Sequence, residues 1–123
     1  MSMQNRKENV VKADSTLRRQ SIARREIAAM QIIDEVILPI FETLESSRPG
    51  DDHNIRIFCT QGRVSWVHYD NTFYMEDDPF GLYGYHEEMI IAIKDVAKEY
   101  NIDAHIRKSN HFTAYILSRN VRK

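Results

Sequence analysis

The segment from Asn54 to Met75 most constrains the fold, because it has the pattern of three strands joined by two tight turns. Gln61-Gly62 and Asp70-Asn71 divide the segment, and each pair offers a residue that tolerates positive φ. Between these turns, side chains alternate as they do in half-buried strands. The sequence therefore predicts a three-stranded antiparallel meander at residues 54–60, 63–69 and 72–75.

Two-residue turns at these positions also predict the strand register. Cys59 should pair with Val64, Ile57 with Trp66, and His68 with both Ile55 and Phe73. One face would then be apolar except for His68: Ile55, Ile57, Cys59, Val64, Trp66, Phe73 and Met75. The second face would carry Arg56, Phe58, Val67, Tyr69, Tyr74 and Glu76. Aromatic rings beside an arginine on an open sheet can stack on bases; the alternative is that a helix or a second subunit covers this face.

A long amphipathic helix is predicted before the meander, capped by Asp14 or Ser15. Pro39 removes a backbone donor, which predicts a kink or break. The stretch from Val36 to Phe41 is apolar on all sides, so we expect a second copy to cover it and the protein to be a homo-oligomer, a dimer. The apolar stripe comprises Leu17, Ile22, Ile27, Met30, Ile33, Ile37, Phe41 and Leu44.

After the meander, a second helix is predicted from Glu87 to Tyr100, with Asn101 as its C-cap. A C-terminal hairpin follows, with strands at residues 102–108 and 111–118 and a turn at Ser109-Asn110; its register stays open. The predicted class is α+β: a long N-terminal helix, a three-stranded antiparallel meander, a second helix and a C-terminal β-hairpin. Together these form one antiparallel sheet with the helices packed on one face.

With 123 residues, the chain has the length of one domain. Residues 1–13 lack apolar periodicity and are predicted to be a flexible basic arm, and residues 14–123 a single α+β domain. The lone cysteine, the polar N-terminus and the absence of a long apolar run predict a cytoplasmic protein without a membrane partner.

Charge is strongly segregated along the chain. Residues 1–25 carry seven basic and two acidic side chains, residues 26–103 carry five and sixteen, and residues 104–123 carry five and none. Basic ends favour an anionic partner; the alternative is attraction to the acidic middle of the same or a neighbouring chain. The candidate residues for binding an anion or nucleic acid are Arg18, Arg19, Arg24, Arg25 and Arg56.

The residues that could carry chemistry do not form a recognisable set. His68, His86, His105 and His111 lack the spacing of a metal motif, so no metal or cofactor is expected. His111-Phe112-Thr113 has the HxT form of two-histidine phosphodiesterases, but the second motif that such enzymes need is missing. Cys59 alternates with apolar residues and is predicted to be a buried structural thiol. No catalytic residue is predicted, and His53 is assigned to a loop.

Three functional hypotheses remain open. The first is a non-catalytic regulatory or inhibitory protein that binds nucleic acid or a nucleotide through its basic N-terminal region. The second is a protein–protein inhibitor or adaptor acting through the acidic and aromatic loop at residues 76–86. Its contacts would be Asp77, Asp78, Phe80 and Tyr83. A small hydrolase or phosphodiesterase is the third and least favoured.

Overall fold

A computed structural model describes residues 19–70, 72–74 and 79–119 of the chain, with only the backbone at 72–74. It shows an α+β fold, as predicted. Helix α1 covers residues 19–47, and helix α2 spans Glu87–Val96, extended by a 3-10 turn at Ala97–Tyr100. The strands are β1 His53–Thr60, β2 Arg63–Tyr69, β3 Thr72–Tyr74, β4 Asp103–Lys108 and β5 Thr113–Arg119. The arm predicted at residues 1–13 lies outside the described residues.

The five strands form one antiparallel sheet in the order β3-β2-β1-β5-β4. The C-terminal hairpin therefore joins the meander through β5, which pairs with β1 along seven residues from His53 to Cys59. This pairing makes β1 the central strand and leaves β3 and β4 at the edges. Strand β1 has a partner strand on each edge, and its alternate side chains on the face that packs against the helices are fully buried, as Ile55 and Ile57 are.

Both helices pack on one face of the sheet and enclose one core. The core side chains of the sheet include Ile55, Ile57, Val67, Tyr115 and Leu117. Those of the helices include Ile33, Ile37, Ile40, Phe41, Ile90 and Ile93. Apolar burial of this kind is the main favourable contribution to folding.

Helix α1 accommodates Pro39 without ending. A π-helical turn occupies Ile33–Ile37, and the α-helical segment Leu38–Ser47 follows directly, with Pro39 in its first turn. The Leu38 N–H donates to the Ile33 carbonyl, five residues back. The wider turn gives the carbonyls before the proline ring more room, so the predicted interruption takes the form of one extra residue in the helix.

The apolar stripe of α1 is only partly buried. Burial begins at Ala29, whereas Ile22 and Ile27 are exposed, contrary to the predicted stripe. Ile37 and Phe41 are enclosed by the core of their own chain. The apolar stretch therefore does not by itself require a second copy, and self-association through this helix remains a prediction.

The register between β1 and β2 corrects the prediction at one point. Cys59 pairs with Val64 as predicted, but Phe58 pairs with Trp66, which leaves Ser65 as an extra residue in β2. The Ser65 hydroxyl donates to the Phe58 carbonyl at 3.0 Å and lies 3.1 Å from the Thr60 hydroxyl. This β-bulge reverses the faces of β2 beyond it. Val67 and Tyr69 therefore enter the core and Trp66 does not, so both predicted faces of the meander were wrong in β2 from Trp66 onward, whereas Val64 is buried as predicted.

The other turns lie close to their predicted positions. His68 pairs with Phe73, which confirms the predicted turn between β2 and β3. Asn101 adopts left-handed backbone angles and caps the 3-10 turn, as predicted. The last hairpin turns one residue later than expected, because the Ser109 hydroxyl accepts the N–H groups of His111 and Phe112. Neither described helix is long and apolar enough to cross a bilayer.

Candidate functional site

The sheet face opposite the helices carries a cluster of three aromatic rings, Phe58, Trp66 and Phe112. The Phe58 ring centroid lies 5.0 Å from that of Trp66 and 5.3 Å from that of Phe112, and the remaining centroids are 6.3 Å apart. The rings are tilted or edge-on to one another, which is the preferred geometry for aromatic pairs. All three side chains are half-buried, so part of each ring faces outward. We call this set the aromatic cluster.

Two features of the fold bring these rings together from three segments. The β-bulge at Ser65 turns Trp66 to the same side as Phe58. The pairing of β5 with β1 places Phe112, the residue just before β5, beside Phe58. Direct partners in an antiparallel sheet point to the same face, and Trp66 is the partner of Phe58. Phe112 lies two residues before Ala114, the β5 partner of Phe58, and so falls on the same face. The cluster therefore follows from strand pairing and not from sequence proximity.

Exposed cationic side chains surround the aromatic cluster. Arg56 lies on β1 directly opposite Ile116, and Arg107 lies on β4 opposite Ala114, so both share the open face. Arg63 pairs with Thr60 at the end of the first hairpin and is also exposed. Among the described strand positions of this face, Asp103 is the acidic one. The face is therefore positively charged although residues 26–103 are acidic as a whole.

A shallow groove of about 300 Å³ runs along this face between the aromatic cluster and the last hairpin. Ala114 forms part of its floor, because it is the one buried residue among those lining it. The lining residues are Arg56, Phe58, Arg107, Lys108, Ser109, Phe112, Ala114 and Ile116. An apolar floor bordered by cations can hold a flat apolar group together with an attached anion.

The described N-terminal arginines predicted to bind an anion, Arg19, Arg24 and Arg25, lie on α1 and not on this face. Arg19 and Arg24 are exposed on α1, and Arg25 forms an ion pair with Glu88 at 3.3 Å. Arg18 lies outside the described residues. Of the predicted cations in the described part of the chain, Arg56 alone belongs to the open face.

The acidic and aromatic loop at residues 76–86, the alternative binding site predicted from the sequence, is only partly described. Asp77 and Asp78 fall outside the described residues. Tyr83 is exposed, and the Phe80 ring packs edge-on against the Tyr69 ring with 5.0 Å between their centroids.

A cluster of polar side chains links α1 to the start of β1 and to the turn that follows β2. His53 is 2% exposed, and its Nδ1 lies 2.9 Å from an Asp70 oxygen. Its Nε2 lies 3.0 Å from Glu45 on α1. Asp70 also accepts hydrogen bonds from the Arg48 guanidinium and, at 2.9 Å, from the Asn54 N–H. We call these five residues the His53 network.

The partners of His53 determine its protonation state. An ionised carboxylate only accepts hydrogen bonds, so a ring held between two carboxylates must donate from both nitrogens and carry a positive charge. Burial opposes that charge, but the hydrogen bonds to Asp70 and Glu45 outweigh it and raise the pKa of His53 above 6.5. Burial also opposes the charge of Asp70, yet the Asn54 N–H, His53 and Arg48 lower the pKa of Asp70 below 3.8.

These shifts predict how stability depends on pH. The contribution of His53 is fully present below pH 6.5 and is lost as the pH rises through its raised pKa. The contribution of Asp70 is present above pH 3.8 and is lost as the pH falls through its lowered pKa. Thermal melts measured from pH 3 to pH 9 should therefore give the highest Tm between pH 3.8 and pH 6.5. A His53→Ala variant should lack the alkaline decline; a decline of equal size in the variant would contradict this assignment.

The lone cysteine is part of the core. Cys59 is buried, and burial, with a smaller effect of the Glu87 charge, raises the pKa of Cys59 to about 12. Tyr115 donates a hydrogen bond to Glu87 at 2.5 Å, which links β5 to the first turn of α2. Burial and this bond also raise the pKa of Tyr115. The Cys59 thiol is therefore protonated at neutral pH. The hydrogen bond between Tyr115 and Glu87 joins α2 to the sheet.

The remaining histidines are not brought together. His68 lies on β2, His86 precedes α2, His105 lies on β4, and His111 is in the last turn. Within residues 19–70 and 79–119, no group of three or more His, Cys, Asp or Glu side chains is placed to hold a metal ion.

Sequence reasoning did not place Trp66, Arg107 and Phe112 on the open face, and it missed the whole His53 network. The sequence left the register of the last hairpin open, and the pairing of β5 with β1, which brings Phe112 beside Phe58, had no signal in the pattern. Trp66 was assigned to the core because the bulge was not foreseen. Comparisons of the chain with family models, curated proteins and solved structures found no match.

Proposed function

We propose that this protein is a non-catalytic binding protein whose open sheet face binds single-stranded nucleic acid. The observation that carries the proposal is the aromatic cluster of Phe58, Trp66 and Phe112, bordered by Arg56 and Arg107 on the face opposite the helices. Aromatic rings stack on unpaired bases irrespective of sequence, and arginines contact the phosphates between them. A regulatory or inhibitory role would follow from occupying such a strand.

The spacing of the cations favours a strand over a mononucleotide. Arg56 and Arg107 lie on β1 and β4, which are separated by β5. Two strand spacings amount to about 10 Å. The groove between them is floored by small or apolar side chains, Ala114 and Ile116. A ligand that contacts both arginines would therefore carry two separated anionic groups with an apolar surface between them, which a single strand of nucleic acid provides.

Binding is tested with a fluorescently labelled 12-nucleotide single strand, followed by anisotropy. If Arg56, Arg107 and Lys108 each contact one phosphate, the logarithm of the association constant should fall with the logarithm of salt concentration with a slope of about −2. Affinity should then drop roughly twentyfold between 50 and 200 mM salt. A duplex of the same sequence should bind more weakly, because its bases are already stacked. Absence of binding to the single strand at 50 mM salt would refute the proposal.

Two matched pairs of substitutions locate the binding surface. Arg56→Glu with Arg107→Glu should abolish binding at 200 mM salt, because both side chains are exposed on the open face. Arg19→Glu with Arg24→Glu makes the same charge change on α1 and should have a much smaller effect. Phe112→Ala should weaken binding by about tenfold or more, as expected for the loss of one stacking partner. If the α1 pair caused the larger loss, the binding surface would be the N-terminal region instead.

A further inference from the structure

The outer edge of β4 is a second candidate interaction surface. This strand, Asp103–Lys108, lies at the end of the sheet and pairs with β5 on one side. No strand in the described part of the chain pairs with its other side. At the opposite edge of the sheet, the described part of β3 spans three residues, Thr72–Tyr74, so β4 is the longer described edge strand. Unpaired backbone groups on a strand of this length are a template for another strand.

The hydrogen-bonding pattern of the last hairpin defines which backbone groups of β4 point away from β5. The Ser109 N–H donates to the Phe112 carbonyl at 2.9 Å, so these residues form a hydrogen-bonded pair. Hydrogen-bonded and non-hydrogen-bonded pairs alternate along an antiparallel ladder. The backbone groups of Asp103, His105 and Arg107 therefore point to β5, and those of the residues between them, Ala104 and Ile106, point to the open edge.

We infer that this edge binds β4 of a second copy of the chain, antiparallel and about a two-fold axis at His105. In this register Ala104 of each copy forms a hydrogen-bonded pair with Ile106 of the other. Asp103 of each copy then stands opposite Arg107 of the other, on the open face, where both side chains are exposed. The two strands are thus complementary in charge at two symmetric positions.

Charge selects this register among the symmetric ones. With Ile106 on the axis, His105 would meet Arg107, and with Ala104 on the axis, Asp103 would meet His105; neither register gives two Asp–Arg pairs. Charged side chains commonly protect a strand edge from pairing. Here the two charges have opposite signs and are four residues apart, so they attract when the strand pairs with itself. Helix pairing through α1 would be a different interface.

The assembly would join two sheets into one of ten strands. A two-fold axis perpendicular to the sheet keeps corresponding faces on the same side. Both aromatic clusters would then lie on one continuous surface, and both pairs of helices on the other. The inference does not rest on nucleic-acid binding, and its test contains no nucleic acid.

Charge reversal provides the test, with mass measured by light scattering on a size-exclusion column at about 100 μM. The wild-type chain should elute with twice its 14.5 kDa mass. Asp103→Arg alone and Arg107→Asp alone should each be monomeric, because each places like charges opposite one another. An equimolar mixture of the two variants should be dimeric again, since each basic strand now faces an acidic one. The double variant with both substitutions in one chain should also dimerise.

A backbone variant tests the hydrogen bonds separately. Ile106→Pro removes an outward N–H and leaves the ladder to β5 intact, so it should weaken dimerisation about tenfold or more. Ile106→Ala keeps the donor and serves as its control, and circular dichroism checks that each variant is folded. A monomeric wild-type chain at 100 μM, dimeric single charge variants, or a mixture that stays monomeric would each overturn the inference.

Discussion

Replacement of Ile37 by alanine is expected to lower the free energy of unfolding by about 3–4 kcal/mol. The Ile37 side chain is fully buried at the π-helical turn of α1 and belongs to the core between that helix and the sheet. Truncation removes apolar contacts and leaves a cavity that the closely packed surroundings fill only in part. Urea unfolding followed by circular dichroism measures this change.

The same helix provides a matched control. Ile27 is 64% exposed, and Ile27→Ala should change stability by less than about 0.5 kcal/mol. An effect of Ile27→Ala as large as that of Ile37→Ala would mean that another surface covers this side of α1. That result would support the self-association through α1 that the sequence predicts.

Replacement of His53 by alanine is expected to destabilise the protein by about 3 kcal/mol at pH 6. The charged ring is buried between Asp70 and Glu45, so its loss removes one cationic partner from the buried Asp70 carboxylate. We place the effect at the low end for a broken buried ion pair, because Asp70 keeps its bonds from Arg48 and Asn54. The corresponding decrease in Tm is roughly 10 °C for a domain of this size.

Two further histidine variants test whether the decrease in Tm comes from the His53 network or from the loss of any imidazole ring. His111→Ala, in the exposed last turn, should leave the Tm within about 2 °C of the wild type. His53→Gln keeps hydrogen-bonding capacity but no charge, and it should fall between the wild type and His53→Ala. A Tm of His53→Ala equal to that of the wild type would show that the buried charges contribute nothing net.

Local signals sufficed for the elements of the fold and for most of its turns. Gly62 and Asn101 both adopt positive φ, and both mark chain reversals that the sequence predicted. The class of fold follows from the same signals, because two amphipathic helices and a set of alternating strands have few ways to bury their apolar sides.

Non-local contacts account for what sequence reasoning missed. Ser65 reads as an ordinary polar strand residue, and only its bond to the Phe58 carbonyl across the hairpin reveals the bulge. One such insertion exchanged the faces of Trp66 and Val67, so the predicted composition of both faces was wrong in the part of β2 beyond the bulge. The open face also needed the pairing of β5 with β1, which joins residues more than fifty positions apart.

The His53 network was missed for a related reason. His53, Glu45 and Asp70 come from a strand, a helix and a turn, and no spacing in the chain connects them. A buried histidine next to carboxylates has no sequence pattern, because its partners are chosen by the tertiary fold. The one available hint was the position of Asp70 in a tight turn, where a carboxylate often bonds to neighbouring backbone.

The β-bulge at Ser65 also determines what can be observed spectroscopically. Trp66 is the only tryptophan of the chain, and the bulge places it beside Phe58 on the outer side of the sheet. Its intrinsic fluorescence therefore reports on that surface and only indirectly on the core. A ligand that stacks there should quench the emission while the far-ultraviolet circular dichroism stays unchanged. Occupancy and unfolding can thus be followed separately in one unlabelled sample.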